Sequence, residues 1–262
     1  MKLSVGNFIN SLVPQNYNSK ALVEMWKDFI DWDKRRKGEG DFFLKQFKKH
    51  NVKKVFDSSL GDGVDSIHLI KKGFDVTSNE IDETFLNKAL ENAKRDGVNL
   101  KVTKLDWRKL DEKNVENSFG AVICLGNSLT YIFDEKDQLK TISQFKRILK
   151  PGGILVIDER NYQYILDNRE EILKGNFKYS GKYVYCGEFV HGRPIEISDK
   201  KVKFEYTDER DGKKGYLVLY PFKRGELSSL LVRSGFNSVE QFSDYKPGFN
   251  PEADFYQYVC VK

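Results

Sequence analysis

The chain has 262 residues, of which 39% are hydrophobic and 13% aromatic, and its formal net charge is +5. This length and composition are typical of a soluble globular protein with one domain and an insertion, or with two smaller domains. No apolar run approaches the ~20 residues of a membrane-spanning helix, and residues 1–15 lack the apolar segment of a signal peptide. Three scattered cysteines and three histidines predict reduced thiols and no zinc site. We therefore expect a cytoplasmic protein.

Two helices are predicted before the first strand. Apolar residues recur at helical spacing from Tyr17 to Lys37, and the sequence Gly-Glu-Gly at 38–40 is expected to end this helix. Asp41 then caps a second helix over 42–50.

Two features of the first helix have alternative interpretations. Trp26 lies on the apolar face, whereas Trp32 fits that face less well and could form part of a lid over a ligand. The basic run 34–37 could contact nucleic acid, but such runs are more often solvated helix faces.

Residues 53–80 form a predicted nucleotide-type binding unit. A short apolar strand leads into a turn with Gly61 and Gly63, and a helix over 64–72 leads to a second strand that ends at Glu80. The glycines let the backbone approach a ligand, and the start of the helix offers free N–H groups. Glu80, 19 residues after Gly61, can accept hydrogen bonds from both hydroxyls of a ribose.

The residues of this turn also bear on which nucleotide would bind. A dinucleotide site usually has a third glycine where Ser66 stands, and Asp62 and Asp65 would add negative charge beside a pyrophosphate. S-adenosylmethionine has a ribose and an adenine but no phosphate, so it tolerates acids there. The alternative is an α/β domain with a tight glycine turn and a solvated Glu80.

Helices and strands continue to alternate after this unit. The predicted elements are helix 82–95, strand 99–105, strand 119–125, helix 136–149 and strand 154–158. This order predicts a doubly wound parallel sheet, in which ligands bind beyond the carboxyl ends of the strands. The polar or small clusters expected to converge there are Gly61–Gly63, Glu80, Asp106–Trp107, Gly126–Ser128 and Arg160–Tyr162.

From residue 175 the pattern changes to short alternating segments. An antiparallel meander that covers the site is predicted from strands 182–190, 200–206 and 215–220, and a helix over 223–234 and strands near 239–242 and 256–261 complete the chain. The predicted divisions are an N-terminal helical cover (1–50), an α/β core (51–174), an antiparallel β insertion (175–222) and a segment that completes the core sheet (223–262).

Several strings of the sequence resemble those of glycine N-methyltransferase and the glycine/sarcosine N-methyltransferases: GDGVDSIHLIKKGFDVTS, AVICLGNSLTY, LKPGGILVIDERNYQYIL, DYKP and DFYQYVCV. The resemblance spans nearly the whole chain. It implies the Rossmann-like fold of class I methyltransferases, with a mostly parallel seven-stranded sheet, and S-adenosyl-L-methionine as cofactor with S-adenosyl-L-homocysteine as product. It also implies methylation of glycine to sarcosine and of sarcosine to dimethylglycine, on the route to the osmolyte glycine betaine.

The resemblance implies cofactor contacts position by position. Glu80 stands at the ribose-binding acid, and Asp106 and Trp107 stand at the adenine site. Either Arg35 or Arg36 falls where an arginine holds the methionine carboxylate, and the register between the two stays open. The implied cofactor-binding residues are Tyr17, Trp26, Trp32, Arg35, Arg36, Ser59, Gly61, Gly63, Glu80, Ile81, Asp106, Trp107, Leu125 and Tyr131.

The sequence departs from the family at three places. Asp62 stands where a threonine is common, Tyr131 stands where the animal enzyme has a histidine, and residues 175–214 match weakly. The first two bear on cofactor affinity, and the third on substrate choice.

The resemblance also implies the substrate contacts. Asn127 and Arg160 match the residues that hold the substrate amino acid, and we assign catalytic roles to these two and to Tyr206. The implied substrate-binding residues are Asn127, Arg160, Tyr162, Tyr179, Tyr206 and Tyr220. An arginine suits a carboxylate because it can bind it with two charge-assisted hydrogen bonds. The alternatives are a salt bridge from Arg160 to a neighbouring acid, a turn role for Asn127 and aromatic packing for the tyrosines.

Methyl transfer from a sulfonium to an amine is an in-line displacement that needs orientation more than a strong base. We expect small-molecule substrates and no membrane partner. The sequence does not decide whether the protein forms a homo-oligomer. A nucleic-acid methyltransferase is disfavoured because the strand end GNSLTY lacks the Asn/Asp-Pro-Pro-aromatic motif. A dinucleotide oxidoreductase is disfavoured by the missing third glycine, and only an assay separates an enzyme from a silent nucleoside sensor.

Overall fold

A computed structural model describes residues 19–113, 116–177 and 187–262. The helices are α1 (Ser19–Phe29), α2 (Trp32–Glu39), α3 (Phe42–Lys49), α4 (Val64–Lys71), α5 (Glu83–Arg95), α6 (Glu135–Ile148), α7 (Tyr162–Asp167), α8 (Arg169–Leu173) and α9 (Glu226–Arg233). Two short 3-10 helices span Trp107–Lys113 and Ser128–Tyr131. None of the helices in these ranges combines the length and apolar character that crossing a bilayer requires.

The strands form two sheets. They are β1 (Lys54–Asp57), β2 (Asp75–Asn79), β3 (Lys101–Thr103), β4 (Phe119–Cys124), β5 (Leu149–Arg160), β6 (Val190–Ile197), β7 (Val202–Asp208), β8 (Lys214–Leu219), β9 (Ser238–Ser243), β10 (Lys246–Pro247) and β11 (Phe255–Val261). The large sheet has the order β10-β9-β11-β5-β4-β1-β2-β3, and β6, β7 and β8 form a three-stranded antiparallel sheet.

The large sheet is parallel from β3 to β5, and β11 runs antiparallel between β5 and β9. Its core lies on both faces: α6 and α9 cover one face, and α3 and α4 cover the other. The apolar run of β4 explains this arrangement, because Val122 packs into the first cluster and Ile123 into the second. The predicted doubly wound sheet is confirmed, and the short β10 adds an eighth strand at the edge.

The small sheet packs on α1. Apolar side chains of α1 form one buried cluster with β6, β7 and β8: Leu22, Met25 and Phe29 meet Val202 and Phe204 among others. The antiparallel meander predicted after residue 175 is therefore present, and it lies beside the N-terminal helices. The four divisions predicted from the sequence stay a prediction.

The prediction of one helix from 17 to 37 is wrong over the described residues, because the segment contains two helices. Asp31 separates them: its backbone is extended and its Oδ1 accepts a hydrogen bond of 2.9 Å from the backbone N–H of Lys34, which starts α2. The predicted break at 38–40 is displaced, since α2 continues through Glu39 and Gly40 is the residue that caps its C-terminus. Glu39 stays helical because its carboxylate pairs with two arginines of the same helix.

Other boundaries differ by a few residues. The third strand is shorter than predicted and the fifth is longer, reaching from Leu149 to Arg160. Most of the predicted strand 182–190 lies outside the described residues, and the described part of the meander begins with β6 at Val190–Ile197. Pro194 hid this strand from the sequence pattern, but β6 is an edge strand in which a proline is tolerated.

Candidate functional site

Two adjoining cavities open beyond the carboxyl ends of β1 to β5. The larger cavity has a volume of about 180 Å³ and is lined by the residues that follow β1, β2, β3 and β4. The smaller cavity, of about 70 Å³, lies between the end of β5 and the small sheet. The two share five wall residues, which are Trp26, Ile30, Arg35, Gly126 and Tyr131. A ligand in one cavity therefore lies next to a ligand in the other.

Most of the residues predicted from the sequence line these cavities. The larger cavity contains Trp26, Trp32, Arg35, Ser59, Gly61, Glu80, Ile81, Asp106, Trp107, Leu125 and Tyr131. The smaller cavity contains Trp26, Arg35, Asn127, Tyr131, Arg160 and Tyr206. Tyr17 and Tyr179 lie outside the described residues.

Four predicted residues do not line either cavity. Gly63 packs against α5, where a Cβ atom would approach that of Ala89 to 3.0 Å. The hydroxyl of Tyr220 donates a hydrogen bond of 2.5 Å to Glu226, so this ring is held at the start of α9. Tyr162 is buried behind Asn127, and Arg36 faces a separate narrow groove.

Glu80 is fixed by the glycine turn. Its Oε2 accepts a hydrogen bond of 2.9 Å from the backbone N–H of Gly61, a residue in the left-handed region with φ of +56°. Its Oε1 accepts from the N–H groups of Ile81 and Asp82, each at 2.9 Å. Burial raises the pKa of Glu80 to about 7 in spite of these bonds. The turn thus holds one ionisable carboxyl at the wall of the larger cavity.

An ion-pair network docks α2 on the start of α4. Arg35 contacts Glu39 through Nε at 2.6 Å and Asp65 at 3.1 Å, while Arg36 contacts the same two acids at 2.7 and 2.5 Å. Burial of Asp65 favours its neutral form, but the two arginines hold its pKa below its usual value. Arg35 also stacks on Trp32, with its guanidinium carbon 4.8 Å from the ring centroid.

This network bears on the choice between the two arginines. Arg35 is buried and lies in the wall of both cavities, whereas Arg36 turns away from them. Arg35 is therefore the better placed of the two to meet a carboxylate in the site. The basic run 34–37 is also not a continuous exposed patch, because both arginines point into the protein.

The Asp106-Trp107 pair is held by partners that the sequence did not indicate. Arg108 binds the Asp106 carboxylate through Nε at 3.1 Å and through a terminal nitrogen at 3.0 Å. The indole N–H of Trp107 donates to the carbonyl of Ser58 at 2.7 Å. The indole N–H of Trp32 lies close to the Asp62 carboxyl, and this interaction opposes the rise that burial causes in the pKa of Asp62. Trp32 and Asp62 both line the larger cavity.

Asn127 ties the end of β4 to the end of β5. It occupies the left-handed region with φ of +65°, and its N–H donates to Asp158 Oδ1 at 2.6 Å. Its side-chain oxygen accepts from the backbone N–H of Arg160 at 3.1 Å, and its Nδ2 donates to the Tyr162 hydroxyl at 2.5 Å. The side-chain oxygen of Asn127 therefore has a structural role, because it positions the backbone of Arg160.

Arg160 enters the smaller cavity between two aromatic rings. Its guanidinium carbon lies 5.3 Å from the centroid of Phe204 and 4.8 Å from that of Phe255. These rings come from the small sheet and from the large sheet. They shield the guanidinium from water, which strengthens its attraction for an anion.

The comparisons with known proteins agree with this geometry. Residues 55–153 match the family model described as a methyltransferase domain. The glycine/sarcosine N-methyltransferase of Halorhodospira halochloris is 36% identical over 92% of this chain and 87% of its own length. The enzyme of the same name from Aphanothece halophytica is 37% identical over 95% of this chain and 91% of its own. This chain belongs to the glycine/sarcosine N-methyltransferase family.

Among solved structures, an S-adenosylmethionine-dependent methyltransferase from Clostridium acetobutylicum superposes with a TM-score of 0.69 at 18% identity, over 92% of this chain and 95% of that one. This likeness supports the fold. The class I methyltransferase fold and the S-adenosylmethionine cofactor that the sequence implies are therefore confirmed for this member of the glycine/sarcosine N-methyltransferase family.

The larger cavity suits that cofactor in its chemistry. Glu80 places a carboxyl at its wall, a group that can accept hydrogen bonds from ribose hydroxyls. The carboxyl of Asp62 favours a ligand that carries positive charge, as the sulfonium and ammonium groups do, whereas the charge of Asp65 is balanced by two arginines. The groups that line the larger cavity are thus chemically compatible with this cofactor.

Sequence reasoning missed several wall residues of the smaller cavity. Tyr245 and Phe255 line it, although the sequence pattern singles out only the strings DYKP and DFYQYVCV that contain them. The available signal was topological: β11 is antiparallel, so it begins where β5 ends, and Phe255 pairs with Arg160. Phe29, one of the apolar residues of the first predicted helix, also lines the smaller cavity.

Proposed function

We propose that this protein transfers a methyl group from S-adenosylmethionine to the nitrogen of glycine and then to that of sarcosine. The observation that carries the proposal is the position of Arg160, which is held between two rings in a small cavity that shares a wall with the larger one. An arginine in such a place favours a substrate with a carboxylate, and the small volume favours a short one. The names of the relatives agree with this substrate class.

The site residues position the two reactants in this reaction. Arg160 holds the acceptor carboxylate, and Asn127 fixes Arg160 through its backbone. Arg35 holds the methionine carboxylate, Glu80 the ribose hydroxyls and Asp106 the adenine amine. When bound, the cofactor supplies a methyl group on a sulfonium, which is already an activated leaving group.

The walls shared by the two cavities set the line of transfer. Trp26, Gly126 and Tyr131 border both cavities, so the acceptor nitrogen and the cofactor are held side by side. Orientation of this kind can supply effective molarities of roughly 10⁵–10⁸ M. The acceptor enters as a neutral amine and its proton leaves to solvent after transfer.

The test is methyl transfer from labelled S-adenosylmethionine, with glycine, sarcosine and dimethylglycine offered separately to the purified protein. We expect turnover of glycine and of sarcosine, and the dimethylglycine arm defines where methylation stops. A methyl group is worth only about 1–3 kcal/mol of discrimination, so one site can process the first two substrates.

Calorimetry with the cofactor alone completes this test. Cofactor binding without turnover of any of the three amino acids would contradict the acceptor and leave the cofactor assignment standing. Failure to bind the cofactor would contradict both. A protein in which Arg160 is replaced by alanine serves as the control, because it should bind the cofactor normally and turn over glycine poorly.

A further inference from the structure

Tyr206 lies in the central strand of the small sheet and has a glycine opposite it in each of the two neighbouring strands. In the pairing of β6 with β7, Gly192 stands opposite Tyr206, and in the pairing of β7 with β8, Gly215 does. The ring of Tyr206 is almost fully buried and lines the smaller cavity. It packs edge-on against Phe29, with ring centroids 4.8 Å apart. A bulky residue that forms the wall of a substrate cavity is thus flanked by two positions without side chains.

The ring of Tyr206 occupies the space that a side chain at Gly192 would take. A Cβ atom on Gly192 would lie 2.7 Å from Cε1 and 2.9 Å from Cδ1 of Tyr206, and 3.3 Å from Cε2 of Phe29. Carbon atoms in contact stand about 3.5–4.0 Å apart, so the ring would have to move. The backbone of Gly192 is not in the left-handed region, so an alanine is compatible with its conformation. The need for glycine here comes from the ring.

Gly215 has a different environment. A Cβ atom there would lie 2.8 Å from Cε of Met25 and 3.4 Å from Cδ1 of Leu22, both on α1. Neither residue lines the two cavities. The methyl end of a methionine side chain can move at little cost. Gly192 and Gly215 therefore both pair with Tyr206, but only Gly192 lies against the ring that forms the cavity wall.

We propose that Gly192 is a specificity-determining residue, because it lets the Tyr206 ring lie back against β6 and leaves room for the methyl group of sarcosine. The other side of the ring faces the smaller cavity, where there is space that protein atoms do not fill. A ring pushed off Gly192 moves into that space. This inference rests on the proposed function, since it takes the smaller cavity as the acceptor site.

The experiment compares Gly192→Ala with Gly215→Ala. For each variant and the wild type, kcat/KM is measured for glycine and for sarcosine, the cofactor Kd by calorimetry and the Tm by thermal unfolding. We expect Gly192→Ala to lower kcat/KM for sarcosine about tenfold more than for glycine, as a methyl-sized loss of room would. The cofactor Kd should stay within about twofold, and Gly215→Ala should keep the wild-type ratio of the two substrates.

A second pair of variants shows whether the effect passes through the ring. Tyr206→Ala should shift the ratio of kcat/KM toward sarcosine, because it enlarges the cavity. Adding Gly192→Ala to that background should leave the shifted ratio unchanged, since coupled residues are not additive. The Tyr206→Ala result also tests the wall on its own if Gly192→Ala does not fold.

Three results would overturn the inference. They are an equal shift of the ratio in the two glycine variants, a further shift from Gly192→Ala in the Tyr206→Ala background, and an unchanged ratio in Tyr206→Ala. A wild type that turns over neither amino acid would instead contradict the proposed function. The two failures are therefore distinguishable.

Discussion

Several buried carboxyl groups lie at or near the site, and their pKa values differ. Burial raises the pKa of Asp57 and of Glu80 to about 7 and that of Asp62 and of Asp158 to about 6. Asp65 is the exception, since the burial that would raise its pKa is outweighed by the two arginines of α2. Among these groups Glu80 combines contact with the larger cavity and a pKa close to neutrality. Its ionisation should therefore govern cofactor binding near pH 7.

The cofactor Kd should fall as the pH rises from 6 to 8. In the proposed binding mode the ionised Glu80 accepts hydrogen bonds from both ribose hydroxyls, whereas the protonated form would lose an acceptor. At pH 6, one unit below its pKa, affinity should be about tenfold weaker than at pH 8. Calorimetry in buffers of different ionisation enthalpy should show protons released on binding at pH 6.5.

The variant Glu80→Gln distinguishes the contribution of Glu80 to this pH dependence from that of the other acids. The variant should bind weakly at every pH, and the part of the pH dependence that belongs to Glu80 should disappear. A variant whose Kd keeps the full wild-type dependence on pH would assign that dependence to Asp62 or Asp158 instead.

Arg160→Ala should raise the KM for glycine by roughly 10- to 100-fold, because a hydrogen bond to a charged group is worth about 1.5–3 kcal/mol. Arg160 borders the smaller cavity and not the larger one, so the cofactor Kd should change little. Arg160→Lys keeps the charge but not the paired donors, and it should give an intermediate KM. Steady-state kinetics and calorimetry measure the two quantities, and equal loss of both would count against this assignment.

At the scale of elements, the position of α2 decides where Trp32 and Arg35 stand in the cavity walls. Its N-terminus is set by Asp31, and its body is held to α4 because Arg35 and Arg36 both bind Asp65. The carboxylate of Glu39 is almost fully buried and receives both arginines. Because Arg35 lies in the wall of both cavities, the network that docks this short helix also orients a site residue.

Glu39→Gln should weaken cofactor binding by more than tenfold and lower the Tm. The amide keeps the shape of the carboxylate but leaves the buried Arg35 and the partly buried Arg36 with one acid, and breaking a buried pair costs about 3–5 kcal/mol. The matched control is Lys34→Gln on the same helix, which breaks the exposed pair with Asp31. Exposed pairs contribute about 0–1 kcal/mol, so the control should behave as wild type. Equal effects of the two variants on Kd would contradict the role given to Glu39.

At the scale of the whole molecule, the sequence predicted the sheet and the strand ends because both follow from local patterns. Apolar runs locate β1 to β5, and parallel strands bring Glu80 and Gly126 to one edge whatever the loops do. Side-chain partnerships over long separations leave no such pattern. The contact of Asn127 with Tyr162 and the stacking of Phe255 on Arg160 depend on how strands align, and the break before α2 depends on one capping side chain.

The stability of the whole molecule should fall as the pH rises from about 5 to 8. Burial raises the pKa of Glu159 to about 8; its Oε1 accepts a hydrogen bond of 2.7 Å from Tyr258, and its Oε2 has no partner among the described residues. The folded state therefore binds more protons than the unfolded state in this range, so the free energy of unfolding decreases with pH.

Glu159→Gln tests this account. Urea unfolding of the wild type at pH 6 and at pH 8 should give a lower free energy of unfolding at pH 8, and the variant should show a smaller difference. Each such group contributes up to about 1.4 kcal/mol per pH unit. The control Glu240→Gln changes an exposed residue paired with Lys49 and should keep the wild-type difference. If Glu159→Gln also keeps the full wild-type difference, then Glu159 does not hold its proton in the folded protein. The fall in stability would in that case belong to Asp57 and the carboxyls around the site.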